Sequence, residues 1–376
     1  MTPKIARYLV DHQPATPCLV LDVDRVESNF RAIRDALPLA RIYYAVKANP
    51  APQILGRLVQ LESSFDAASF EEVQACIEAG ADPASISYGN TVKKVSAIRA
   101  AVEAGVDMFA FDSDEELEKL AAHAPGSRVY CRLLVENEGA EWPLSRKFGT
   151  TIEHARALMI RAGELGLDAF GLSFHVGSQQ TSTSSYEAAI GRVAMLFTDL
   201  RDAGVNLRMV NLGGGFPVRY RDEVPEIGQF ADAIMGAMTE HFGNALPDML
   251  IEPGRSIVGD AGVVSAEVVL VSRKGSTDPV RWVYLDIGRF GGLAETEGEA
   301  IKYRFVTPHD GGETGPVVIA GPTCDGADTL YERSNYRLPT ALACGDRVEL
   351  LATGAYVTTY ASQRFNGFAP LAEHYV

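Results

Sequence analysis

The chain has 376 residues, 47% hydrophobic and 22% charged, an ordinary globular mix and long enough for two domains. A formal net charge of −15 argues against nucleic-acid binding and fits either a soluble surface or one that attracts a cationic substrate. No apolar run approaches a membrane span, the opening MTPKIARYLVDHQPATP lacks a signal-like core, and Cys18, Cys76, Cys131, Cys324 and Cys344 include no CxxC pair, so the expectation is a cytoplasmic protein without membrane, disulfide framework or metal.

TPCLVLD reads as a short strand that precedes the first helix and would pair with a later β region. Val26, Phe30, Ile33 and Leu37 then share one helical face, with Asp24 as the predicted cap and Glu27 three residues on. Eight β-rich runs follow, each ending in polar or glycine residues: IYYAVKAN, SFDAAS, ISYGN, MFAFDS, VYCRLLV, FGLSFHV, MVNLGGGF and MLIEPGR. The first five recur about every 22 residues and the later ones about every 40, the mark of a repeated unit. Between them lie helix-like segments, such as Val73 and Ile77 stopped by Gly80, and Leu117, Leu120 and Ala121 before Pro125-Gly126. Eight strand–helix alternations predict a (β/α)8 TIM-type barrel over 22–256. After Arg255, VVSAEVVLVS, VRWVYLDIG, GPVVIAG and DRVELLAT read as strands, so 257–376 together with 1–21 are expected to form a mostly β domain.

Barrel chemistry sits at the C-terminal ends of the strands. This sequence puts Lys47, Asp66, Asn90, Asp112, Arg132, His175, Gly213-Gly214-Gly215 and Glu252-Pro253-Gly254-Arg255 there. Lys47 ends the apolar run YYAVKAN; buried, its ammonium would lose its proton more readily and become a nucleophile for an aldehyde. A lysine snorkelling to water fits that residue alone equally well. In NLGGGFP three glycines leave backbone amides open to an anion, and EPGR adds the Arg255 guanidinium. A lone GGG would be a tight turn; with an arginine at the neighbouring strand end it points to phosphate. The run is not GxGxxG, which disfavours a dinucleotide fold. SFHVGSQ supplies His175, either a satisfied core residue or a ring to stack on an aromatic cofactor, and Ser178, a donor for phosphate. GPTCDGADTLYE sets the Cys324 thiol, able to deliver a proton, beside the Asp325 carboxylate, able to hold an ammonium; GAY adds the Tyr356 phenol.

In order, YYAVKAN, FDAAS, CRL, SFHVGSQ, NLGGGFP, EPGR, GPTCDGAD and GAY resemble the motifs of the fold-type III pyridoxal-phosphate (PLP) decarboxylases, the family of ornithine, lysine, arginine and diaminopimelate decarboxylases. The resemblance runs from TPCLVLD to FNGF and is strongest to the bacterial lysine/ornithine type, partly through LDIGRFGGLAET. It implies an alanine racemase-like two-domain architecture, PLP as cofactor and a place in polyamine biosynthesis. Lys47 would hold PLP as an imine with Asp66 beside it, and His175 would stack on the pyridine. Ser178, Gly213, Gly214, Gly215, Arg255 and Tyr356 would grip the phosphate. Glu252 would hold the ring-nitrogen proton, and Arg132 would salt-bridge within the site. Cys324 and Asp325 would complete the partner's site in a head-to-tail homodimer, Cys324 as the acid that protonates carbon and Asp325 as the contact for the substrate's far amine.

A carboxylate facing the pyridine nitrogen keeps it protonated and makes the cofactor a better electron sink. Alanine racemase sets an arginine there, so EPGR favours decarboxylation. The diaminopimelate enzymes carry Glu-Ser after the motif cysteine; Asp325-Gly326 suits instead the simple terminal ammonium of L-ornithine or L-lysine. Glu299 sits where eukaryotic relatives carry a second acidic substrate contact, with Glu295 or Glu297 as substitutes, and Tyr356 would also border the substrate. The acidic stretch 294–299 keeps arginine and carboxynorspermidine as alternatives, beside meso-diaminopimelate. A non-catalytic PLP-binding relative would be expected to lose the lysine, phosphate or cysteine motif, and all are present.

Overall fold

The computed structural model describes residues 1–135, 138–142 and 147–376. The chain divides into two units: Glu27–Pro217 with Val224–Gly254, and Met1–Val26 with Val218–Glu223 and Arg255–Val376. It opens with a helix, Pro3–His12, and the fully buried β1 (Cys18–Leu21). The next helix runs Val23–Ala36. Its cap is Asp22 rather than the expected Asp24. The Asp22 carboxylate accepts the Asp24 N–H at 3.1 Å, because β1 ends at Leu21 and the helix begins at once. Asp24 lies inside the first turn, where a carboxylate suits the helix dipole, and pairs with Lys4 at 2.7 Å.

All eight expected barrel runs form strands. They are β2 (Ala40–Ala45), β3 (Ser64–Ala67), β4 (Ile86–Tyr88), β5 (Met108–Phe111) and β6 (Arg128–Arg132), then, beyond the short β7 (Ala140–Trp142), β8 (Asp168–Ser173), and, beyond β9 (Ser178–Gln180), β10 (Met209–Asn211) and β11 (Asp248–Ile251). β2, β3, β4, β5, β6, β8, β10 and β11 pair in parallel and close into a barrel, β11 returning to β2, while β7 and β9 form a separate antiparallel ribbon. Tyr43, Met108, Ala110, Tyr130, Phe170, Met209 and Leu250 pack together in one buried cluster. Helices alternate with the strands and start and stop on local signals. Ser69 caps Phe70–Glu78, and Gly80, at φ +99°, ends that turn in a conformation favouring glycine. Among the described residues no helix is long and apolar enough to cross a membrane.

The second unit is a mixed sheet of β12 (Gly262–Ser272), β13 (Arg281–Leu285), β14 (Arg304–Val306), β15 (Thr314–Ala320), β16 (Thr329–Tyr331), β17 (Arg337–Pro339), β18 (Arg347–Leu351) and β19 (Ala372–Tyr375), joined by β1. β1 pairs antiparallel with β12 and parallel with β19, the pairing TPCLVLD suggested. The contacts divide the chain at Glu27 and Gly254, a few residues inside the boundaries drawn at 22 and 256. Local pattern also gives no sign of the excursion Val218–Glu223: Val218 and Tyr220 bury in this unit's core with Val264, Leu285, Ile319 and Leu350.

Candidate active site

The barrel's C-terminal end collects the residues of its own unit. Lys47 lies in a one-turn 3-10 segment, Val46–Ala48, directly after β2. Val46 and Ala48 are buried, but the Lys47 side chain is 44% exposed, with Nζ 3.4 Å from the Asp66 carboxylate. The expected burial of Lys47 is therefore corrected. The turn beyond the strand lets its neighbours fill the core while the amine stays accessible. Asp66, near the end of β3, is 4% exposed, and its Oδ1 has no hydrogen-bond partner among the described residues. Room for this carboxylate exists only because position 89 is glycine: a Cβ there would lie 1.9 Å from Oδ1.

Glu72, which the strand-end motifs do not include, lies within electrostatic reach of Lys47 and Asp66. Its carboxylate accepts the Ala68 N–H at 2.7 Å; burial pushes its pKa up, and Lys47 pulls it down. The sequence carried the signal, since Ser69-x-x-Glu72 is a capping-box spacing and the Ser69 hydroxyl accepts the Glu72 N–H.

Glu252 follows β11. Burial, then the Asp66 charge, push it up to about 7, against the opposing pull of Lys47, Asn211 and Arg132. Asn211, at the end of β10, donates to the Glu252 carboxylate at 2.5 Å and accepts the Gly213 N–H at 2.9 Å. It too is absent from the expected set, although NLGGGFP contains it. His175 accepts the Gly177 N–H on Nδ1 at 3.0 Å. Burial, then Arg132 and Lys47, hold its pKa well below the usual range, so the ring is neutral and its proton sits on Nε2. Arg132 was expected to salt-bridge. Its guanidinium instead lies 5.2 Å from the Phe148 ring centroid, and among the described residues it forms no ion pair. It acts on His175 and Glu252 by charge at a distance.

The glycine run after β10 has the build of an anion cradle. The Gly213 carbonyl accepts from Glu252, the Gly214 carbonyl from the Tyr186 hydroxyl at 2.7 Å, and the Gly215 carbonyl from Gln180 at 2.8 Å. The carbonyls thus face protein, while among the described residues the Gly214 and Gly215 N–H groups donate to no backbone carbonyl. Side chains do not fit: a Cβ would sit 2.3 Å from the Phe174 carbonyl at Gly213, 2.5 Å from the Glu252 carbonyl at Gly214 and 2.4 Å from the Gly177 carbonyl at Gly215. Ser178 opens β9 and pairs with Trp142 across the ribbon. A cradle without side chains, an orphaned carboxylate oxygen beside a reachable lysine and a neutral imidazole fit a phosphorylated aldehyde such as PLP.

The other expected site residues belong to the β-rich unit. Arg255 is buried in a bidentate ion pair with Glu295 at 2.5 and 2.8 Å, and it lies 4.8 Å from the Tyr356 ring centroid. Cys324 and Asp325 are exposed on a loop between β15 and β16. Asn366 accepts from the Cys324 N–H and thiol at 3.1 and 3.4 Å, and Asp325 caps Ala327. Buried Asp328 anchors this loop through the Thr323 hydroxyl and the Arg289 N–H, each at 2.7 Å. Glu299, expected as a substrate contact, also has a role within the chain. Its carboxylate already accepts the N–H groups of Glu332 and Arg333 at 2.9 and 2.8 Å and the Ser334 hydroxyl, so it clamps a turn.

A barrel mouth of this build suits one class of protein, an enzyme that holds a phosphorylated aldehyde through an amine. Residues 23–259 match the family described as pyridoxal-dependent decarboxylase, pyridoxal binding domain. The lysine/ornithine decarboxylase of Selenomonas ruminantium is 36% identical over 355 residues, 94% of this chain and 88% of that protein. The Vibrio vulnificus lysine/ornithine decarboxylase complexed with cadaverine has a TM-score of 0.88 at 31% identity, covering 99% of this chain and 97% of that one. The arginine decarboxylase of Paramecium bursaria Chlorella virus bound to agmatine has a TM-score of 0.91 at 26% identity, covering 100% of each chain. This chain belongs to the pyridoxal-dependent decarboxylases, fold-type III enzymes with PLP as cofactor.

Proposed function

We propose that this enzyme decarboxylates a basic L-amino acid, L-lysine and/or L-ornithine, to cadaverine or putrescine and CO2, as a cytoplasmic, polyamine-forming activity. Glu252 carries the reaction class: a buried carboxyl, pushed up by burial to about 7, that follows β11, where a racemase of this architecture sets an arginine. Bound PLP supplies the sink for the electrons left on Cα when CO2 departs.

The chain's own residues do the rest. Lys47 holds the cofactor through its amine, and Asp66 keeps that amine oriented. Gly213, Gly214 and Gly215 receive the phosphate, with Ser178, Arg255 and Tyr356 as further contacts; Arg255 closes the strand-end motif EPGR. The neutral His175 ring stacks without adding positive charge, and Glu252 holds the proton of the ring nitrogen. Cys324 delivers a proton to the substrate carbon, and Asp325 pairs with the substrate's terminal ammonium. Their exposure on a loop supports their serving the partner's site in a head-to-tail homodimer. The names of the relatives at 31% and 36% identity support lysine and ornithine.

The test is CO2 release from L-lysine, L-ornithine, L-arginine and meso-diaminopimelate. Turnover of L-lysine or L-ornithine is expected. Turnover of meso-diaminopimelate alone would overturn the assignment.

A further inference from the structure

The acidic stretch 294–299 offers three carboxylates to a substrate, and in the folded chain two of them are engaged elsewhere. Glu299 clamps the 332–334 turn. Glu295 is 4% exposed and meets the equally buried Arg255 edge to edge, Nη2 to Oε1 at 2.5 Å and Nη1 to Oε2 at 2.8 Å. The Tyr220 hydroxyl accepts from the same Nη1 at 2.6 Å. The rings of Tyr356 and Tyr220 lie 4.8 and 5.7 Å from the guanidinium carbon.

Burying two opposite charges is costly, and apolar residues of similar volume often serve stability as well or better. Stability alone therefore does not account for an ion pair here. In the sequence the cluster adjoins the phosphate elements proposed above. Tyr220 lies five residues beyond Gly215, the end of the glycine cradle, and Arg255 lies three residues beyond Glu252. The excursion Val218–Glu223 brings Tyr220 to this guanidinium.

We infer that Glu295, assisted by Tyr220, is a positioning residue that fixes the plane and setting of the Arg255 guanidinium, so that retention of the cofactor's phosphate depends on a carboxylate that never touches it. The inference rests on the assignment of Arg255 to the PLP phosphate. It removes Glu295 from the substrate pocket and divides the acidic stretch between two supports, with one carboxylate holding the phosphate anchor and one holding a neighbouring turn.

The experiment compares wild-type holoenzyme with Glu295→Gln, Glu295→Asp and Tyr220→Phe, reading PLP dissociation by dialysis and absorbance and the 31P resonance of bound PLP. Glu295→Gln should hold PLP about tenfold more weakly and shift the 31P resonance, since a charge-assisted bidentate pair becomes a single neutral hydrogen bond. Glu295→Asp should recover part of the loss. At saturating PLP, the Glu295→Gln KM for the amino acid should stay within about twofold of wild type, since Arg255 is set by charge and not by substrate. Should Glu295→Gln fail to fold, Tyr220→Phe carries the test with an expected weakening of about threefold, the scale of one lost hydrogen bond. Unchanged PLP retention and an unchanged 31P resonance in the folded variants would overturn the inference, as would a changed amino-acid KM with PLP retention intact. A wild-type protein that takes up no PLP would overturn the functional reading and this inference together; wild type holding PLP beside variants that hold it equally well overturns the inference alone.

Discussion

Glu252 couples folding of the barrel to protons. Its ordinary value near 4.5 is raised to about 7 by burial and by Asp66, so the folded chain binds this proton more tightly than the unfolded chain does. The stability it contributes is therefore full below about pH 4.5 and is lost as pH rises through about 7. Melting temperatures of the apoprotein between pH 5 and 8 should fall more steeply for wild type than for Glu252→Gln; parallel profiles would contradict the coupling. Cys324→Ala should still bind PLP, because the thiol lies on a loop of the other unit, but should release product slowly or with the proton on the wrong atom. A rate and product pattern equal to wild type would remove Cys324 as the acid. The strand-end positions of Lys47, Glu252 and His175 were legible in the sequence because each ends a recognisable apolar run. The exposure of Lys47 was not, since it depends on a 3-10 turn that periodicity does not reveal. Nor was the engagement of Glu299, which depends on the distant turn at 332–334.

The glycine run after β10 makes the sharpest statement at the level of elements. Gly214 has an ordinary φ, so its requirement is one of space: a Cβ would fall 2.5 Å from the Glu252 carbonyl and 3.5 Å from His175 Nε2. Gly214→Ala should therefore push apart the ends of β10 and β11 and weaken PLP binding by about tenfold or more, measured by titrating the apoprotein with PLP. Affinity equal to wild type would mean that the loop is a turn and not a cradle. The strands themselves were readable, because parallel strands buried on both faces give short apolar runs and barrel helices stop at glycines. Caps and excursions were less so. Asp22 rather than Asp24 caps the first long helix because β1 ends one residue earlier, and Val218–Glu223 leaves the barrel because Val218 and Tyr220 find their apolar contacts in the other core. Both outcomes are decided by tertiary contacts that a local pattern does not contain.

At the scale of the molecule, the proposal that Cys324 and Asp325 serve a partner's site makes a quantitative statement. Lys47→Ala and Cys324→Ala homodimers should each be nearly inactive. Mixed and allowed to exchange subunits, they should regain about one quarter of wild-type turnover, because half the dimers are mixed and each of those keeps one intact site. No recovery after demonstrated exchange would place Cys324 in the same chain's site. The two-unit architecture was legible in the change from alternating strand–helix texture to strand and turn near Arg255. The mingling of the units along the chain was not, because 1–26 and 218–223 are separated from 255–376 in sequence and joined only by packing. The proposed activity depends on Lys47 carrying the cofactor, and one measurement tests that most directly. Purified protein supplied with PLP is reduced with borohydride, digested and weighed peptide by peptide. A pyridoxyl-phosphate mass gain on the peptide that holds Lys47 is expected; no gain there, or a gain on another lysine, would contradict the account.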